Sequence, residues 1–176
     1  MKKVLFGAMI ASTLFACGTN TENTASSTTS NTPAIPAEAF GYTLNSSENI
    51  NTVKKAIQAG ANLDTTFFRS IYADTATIYD NRNKQTIFDN MKMASVFKTK
   101  GVTMKIDKFN DIWETIIIKE DERSFKDYVN VFFDATFTKG TQNATVRINA
   151  VFAFKDAKIV SEWDTYDSAP VVEMLK

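Results

Sequence analysis

The chain has 176 residues, 44% hydrophobic and 23% charged, a balance that suits one globular domain and excludes a disordered or fibrous chain. Its 20 basic and 20 acidic residues cancel, which argues against a charge-driven partner such as nucleic acid. Histidine is absent and cysteine occurs once. Ser-His-Asp and Cys-His nucleophilic sites, His-ligated metals and an intrachain disulfide are therefore excluded.

Residues 1–16 have the pattern of a secretory signal: basic Lys2 and Lys3, an apolar run Val4–Phe15, then a small residue, Ala16. The run is too short for a permanent transmembrane helix. Leu14-Phe15-Ala16-Cys17 resembles the lipobox of bacterial lipoproteins; an ordinary cleavage site beside an incidental cysteine is the competing reading. The resemblance implies that Cys17 carries a lipid anchor and that the protein sits in the bacterial cell envelope, on either membrane face. Losing Lys2 and Lys3 with the leader leaves the remainder two charges negative. Residues 17–40 are rich in Thr, Ser and Asn, with Pro33 and Pro36, and bury too little to offset the entropy of ordering. They read as a tether averaging roughly 25–30 Å, and about 75–80 Å when stretched.

Residues 41–176 are expected to form the domain. Asn45-Ser46-Ser47-Glu48 starts a helix with a cap and a first-turn acid. Ile50, Val53, Ala56 and Ile57 form its buried stripe, and Gly60 closes it. Asp64 caps a second helix bearing Phe67, Phe68, Ile71 and Tyr72, ended by Ala73-Asp74. A short strand, Ala76–Asp80, and a polar turn, Asn81–Asn83, lead to a third helix, Gln85–Lys100, with Ile87, Met91, Ala94 and Val96/Phe97 inward and Gly101 as its stop. Alternation and β-branched content then predict strands Val102–Ile118 (bulged near Phe109–Asp111), Asp127–Lys139, Gln142–Lys155 and Ile159–Asp167. Lys119–Ser124 reads as a solvated hairpin tip, and Ala169–Lys176 as a tail. The order predicts an α+β domain, helices on one face of a curved, mainly antiparallel sheet.

The segment Ser70–Asp80, SIYADTATIYD, and the hairpin Asn149–Ser161, NAVFAFKDAKIVS, resemble the nuclear transport factor 2-like (NTF2-like) superfamily. This group includes SnoaL-like polyketide cyclases and ketosteroid isomerases. The family's last turn usually reads Asp-Gly-Lys-Ile; here Ala157 replaces the glycine. The resemblance implies a cone in which three N-terminal helices and the curved sheet enclose an apolar pocket, and often a homodimer through the outer sheet face. Aligned on Tyr72-Ala73-Asp74, the general-base carboxylate of ketosteroid isomerases falls on Asp80. Aligned on Phe152-Ala153-Phe154, their oxyanion acid falls on Ala150, and their oxyanion tyrosine falls near Val53–Ala56. With neither donor, isomerase activity of that type is excluded. The missing histidine also removes the His–Asp pair of SnoaL-like cyclases.

Alternation anchored on Ala150 and Phe152 turns Val129, Val131, Phe133, Ala135 and Phe137 into the pocket, with Glu162, Asp164 and Tyr166 from the last strand and Ile78 and Asp80 from the first. The expected ligand-contacting residues are Asp80, Phe133, Ala150, Phe152, Asp164 and Tyr166, with no cofactor. Asp80 could instead cap a turn or pair with Arg82 or Arg147, and Asp164 and Tyr166 could be an exposed strand end. Trp113 and Trp163 read as packing or dimer residues. Asp107, Asp111 and Glu114 form a conceivable carboxylate metal set but read better as a strand edge or bulge. Tyr128, Asn130, Phe132, Asp134, Arg147, Asn149 and Val151 share the outer face, a mixture suited to an interface. Three functions stay open. One is a lipid-anchored, non-catalytic binding module for a small apolar or amphipathic molecule, favoured because few ionisable groups are expected in the pocket. The others are a SnoaL-like enzyme using Asp80 as acid or base, and an interaction module whose cone is filled by Phe133 and Phe152.

Overall fold

The computed structural model describes residues 39–119 and 125–176; the leader, Cys17, the tether up to residue 38 and most of the Lys119–Ser124 tip lie outside the described residues. Four helices pack on a seven-stranded curved sheet. The elements run β1 (Gly41–Leu44), α1 (Glu48–Ala61), α2 (Thr65–Ile71), β2 (Tyr72–Asp80), β3 (Asn83–Thr86), α3 (Ile87–Lys100), β4 (Thr103–Ile117), β5 (Asp127–Lys139), β6 (Gln142–Lys155), β7 (Lys158–Thr165) and α4 (Ala169–Leu175). In space the strands run β1-β4-β5-β6-β7-β2-β3. Every pairing is antiparallel except β2 with β7, which is parallel.

Local chemistry accounts for the helix ends. The Ser47 side chain accepts from the Ile50 amide at 3.0 Å and Asp64 from the Phe67 amide at 3.0 Å, each satisfying an amide that the first turn leaves unpaired. Thr86 and Asp89 form a reciprocal capping box on α3, and Gly101 ends it in the left-handed conformation, φ 67°. Gly60 lies within the last turn of α1, and Asn62 caps that end. α2 is shorter than the apolar spacing predicts. Tyr72 opens β2, where it is buried with Ala76 and Ile78, because the parallel pairing with β7 claims its backbone. β1, β3 and α4 are elements that the sequence pattern missed. The third helix accordingly starts at Ile87, after β3 has taken Gln85 and Thr86. In α4, Val171 and Met174 are buried, and Lys139 Nζ donates to the Met174 carbonyl at 2.5 Å.

The long strands match the alternation. Along β5, Val129, Val131, Phe133, Ala135 and Phe137 are all buried and the residues between them are not. In β6 the facing residues Phe152, Ala150, Ile148 and Val146 point the same way. β4 shifts register between Ile106 and Lys108 and again between Phe109 and Asp111; such bulges sharpen twist and bend the sheet over the helices. The core joins these strands to Ile50, Val53, Ala56 and Ile57 of α1.

The hairpin between β6 and β7 keeps a two-residue turn although its glycine is replaced. Asp156 and Ala157 both have positive φ, 51° and 58°, and Lys155 pairs with Lys158, the geometry of a type I′ turn. An alanine there carries the left-handed penalty of about 1–2 kcal/mol, partly offset in glycine by its larger unfolded entropy. Ala157→Gly is therefore expected to raise stability by roughly 0.5–1 kcal/mol, read as a shift in the urea midpoint at unchanged slope.

Candidate functional site

A cavity of about 190 Å³ lies between the inner sheet face and α1, α2 and α3. Most of its wall is apolar, including Ala56, Phe68, Phe97, Phe133, Phe137 and Phe152. Helix α3 forms the looser side. Of its residues only Ile87 is buried, while Met91, Met93, Ala94 and Phe97 line the cavity. Methionine adapts its shape readily, so this wall can change outline more easily than the sheet face opposite.

The polar end is built where β2 meets β7. The parallel register sets Ile78 beside Glu162 and Asp80 beside Asp164, all on the inner face. Asn81, at φ 53°, latches the two strands together: its amide donates to the Asp164 carbonyl at 2.8 Å, and its side chain accepts from the Tyr166 amide at 3.1 Å. Asn tolerates this backbone conformation better than most residues. What the sequence reads as a turn is thus the fastener of the site.

Three carboxyls and two phenols converge there: Asp80, Glu162, Asp164, Tyr72 and Tyr166 all line the cavity. The Tyr72 hydroxyl donates to Glu162 Oε2. The Glu162 and Asp164 carboxyls hydrogen-bond each other, which requires a proton on one of them. Burial raises Glu162 to about 7; bonds from Tyr72 and Asp164 pull against that rise, and the Asp80 charge adds to it. Asp164 is pushed well above the usual carboxylate range, by burial first and then by the Glu162 charge, so Asp164 holds the shared proton. Burial and the neighbouring Asp80 charge raise the Tyr166 phenol, and burial and Glu162 raise Tyr72. Both phenols stay protonated donors. Oδ1 of Asp80 is shut off from solvent and has no hydrogen-bond partner among the described residues.

Of the residues expected to contact a ligand, Asp80, Phe133, Phe152, Asp164 and Tyr166 line the cavity and Ala150 does not. Ala150 is 1% exposed and pairs with Asp164, but its single methyl is overtopped by Ile148 and Phe152 on the same face. Tyr72 was missed because its spacing from Phe68 also fits a helix, and the partner that explains it, Glu162, is 90 residues away. Arg147 cannot reach Asp80: it pairs with Asp134 on the outer face through bonds of 2.8 and 3.2 Å. Trp113 stacks on Phe132 and Trp163 on Tyr79, and neither tryptophan lines the cavity. Asp107 is held by Thr136 and Lys105, whereas Glu114 is 2% exposed and bonded by Asn49 at 2.6 Å. Among the described residues no three acids are placed to hold a metal ion together.

Solved structures share this architecture. No protein-family model and no curated protein sequence matches the chain. An LEH-like epoxide hydrolase from M. tuberculosis superposes with a TM-score of 0.52 at 15% identity, covering 72% of this chain and 87% of its own. An NTF2-like protein of unknown function from Burkholderia pseudomallei gives 0.51 at 17% identity, covering 74% and 99%. The chain has the nuclear transport factor 2-like fold. Wild-type IdmH from Streptomyces antibioticus, described as a putative polyketide cyclase, gives 0.51 at 12% identity, covering 73% and 99%. At such identities the likeness between NTF2-like proteins extends to the scaffold and not to the chemistry mounted on it.

The raised carboxyls tie stability to pH. Below about 4.5, the ordinary value for Glu162, folded and unfolded chains both hold its proton. Between there and about 7 the unfolded chain releases a proton that the folded chain retains, so stability falls as pH rises. The expected outcome is a declining denaturation midpoint across this window, flattened in Glu162→Gln; an unchanged slope in that variant would contradict the assignment.

Proposed function

We propose that the domain binds a small, largely apolar molecule in the cavity, with the ligand's polar end against the Asp80–Glu162–Asp164 cluster. The observation that carries this is an open hollow whose mostly apolar, aromatic wall also carries three carboxyls converging where β2 meets β7, the usual arrangement of a small-molecule site. An apolar cavity of about 150 Å³ takes up benzene, so about 190 Å³ suits one ring with a short polar arm. Phe133 and Phe152 line the hollow and do not fill it, which weighs against a purely structural module. The lipidated Cys17 and its tether, both outside the described residues, would hold the domain at a membrane; no helix among the described residues is long and apolar enough to cross one.

The binding proposal is tested by thermal unfolding with a panel of monocyclic ligands. At a hundredfold excess over Kd a ligand contributes about 2.7 kcal/mol, an expected rise in Tm of roughly 8 °C or more for a domain of this size. Ala94→Phe, which puts a ring into the cavity from the α3 wall, is expected to abolish the rise. A wild-type Tm unmoved by every member of the panel would remove the proposal.

A second reading is acid/base catalysis, favoured by Glu162 at about 7 beside Asp80. Carboxyls whose proton affinities are driven apart can serve as acid and base without histidine, and scaffold neighbours described as an LEH-like epoxide hydrolase and a putative polyketide cyclase support keeping this reading. Under this reading Asp80→Asn lowers turnover of a bound substrate by about 100-fold or more while its dissociation constant stays within a few-fold. Unimpaired turnover in that variant would eliminate Asp80 as the base.

A further inference from the structure

The chemistry of the ligand can be narrowed, resting on the binding proposal above. The cavity wall is strongly one-signed: Asp80, Glu162 and Asp164 line it, as does Asp64, and no Lys or Arg among the described residues does. An anionic ligand would meet buried carboxyls with no compensating cation, a repulsion that a low-dielectric site amplifies. A neutral ligand would leave the charge that Asp80 brings to the cluster unmatched by any cation, and an uncompensated buried charge is costly. Tyr166 donates to the Asp80 carboxylate, but the Oδ1 of Asp80 is closed to solvent and lacks a donor among the described residues.

The rest of the wall agrees with a positive ligand. Phe68 and Tyr72 stack with ring centroids 4.3 Å apart at the edge of the cluster, and Phe97, Phe133, Phe137 and Phe152 complete an aromatic lining. Ring faces attract ammonium groups, most strongly when the pair is desolvated. A metal ion fits less well, because no three of the acids are placed to ligate one in common. The apolar wall also calls for a hydrocarbon body. We infer that the cavity selects a small hydrophobic amine, bound as its ammonium cation with the nitrogen donating into the Asp80–Glu162–Asp164 cluster and the hydrocarbon against Phe133 and Phe152.

Isothermal titration of the full chain near neutral pH with three probes of one shape separates the possibilities: benzylamine (cationic), benzyl alcohol (neutral) and benzoate (anionic). Benzylamine is expected to bind about tenfold or more tighter than benzyl alcohol, and benzoate not to bind measurably. Asp80→Asn is expected to weaken benzylamine by about tenfold and leave benzyl alcohol within about twofold. Glu162→Gln, which removes the carboxyl raised to about 7, provides the same comparison if circular dichroism shows that the first variant has lost its fold. Benzyl alcohol binding as tightly as benzylamine, or benzylamine affinity unmoved by a folded variant, overturns the amine assignment while leaving the cavity a binding site. Failure of all three probes, together with a Tm unmoved by the wider panel, removes the binding proposal itself.

Discussion

The parallel pairing of β2 with β7 is the constraint on which the rest depends. It is the one parallel seam among the described residues, and it joins their first long strand to their last. In-register parallel residues share a face, so Asp80 beside Asp164 and Ile78 beside Glu162 follow from the backbone alone. A slip of one residue on either strand would send its carboxyls to the outer face. The Asn81 latch and the Ser161 hydroxyl, which donates to the Thr77 carbonyl at 3.2 Å, hold the seam at opposite ends of the site.

Charge is handled in opposite ways on the two faces of one sheet. Outside, Asp134 meets Arg147 through two bonds, and the guanidinium holds its carboxyl down to about 2. Such an exposed pair adds little stability. Inside, carboxyl is set against carboxyl, and the site stays intact by retaining protons. A core of phenylalanines in those places would be more stable, since buried ionisable groups seldom recover their desolvation cost. The acids are thus a departure from good packing in a wall that is otherwise built for it.

The sequence pattern made some of this legible. β5 and β6 each bury one face, so a strict two-residue period assigns Phe133 and Phe152 inward and Arg147 outward, as found. Ser47 and Asp64 announce their helices because capping is a local event. β1, β3 and Tyr72 were not legible for the same physical reason. Gly41–Leu44 becomes a strand only by pairing with β4 some seventy residues on, Asn83–Thr86 only by folding back on β2, and Tyr72 leaves the helical pattern only when β7 arrives. Alternation set Glu162 facing inward, but nothing local disclosed its bond to Tyr72. α4 did leave a trace, the three-residue spacing of Val171 and Met174, in a segment too short for periodicity to register.

The contacts that unite Asp80 with Asp164 and Tyr72 with Glu162 span most of the domain's length. Loop-closure entropy delays such contacts relative to the β4–β5 and β5–β6 hairpins. Asp80 is therefore remote from Glu162 and Asp164 during most of the conformational search and joins them when β2 pairs with β7. Mutual repulsion then acts late on the pathway, lowering the tendency to close more than the tendency to nucleate.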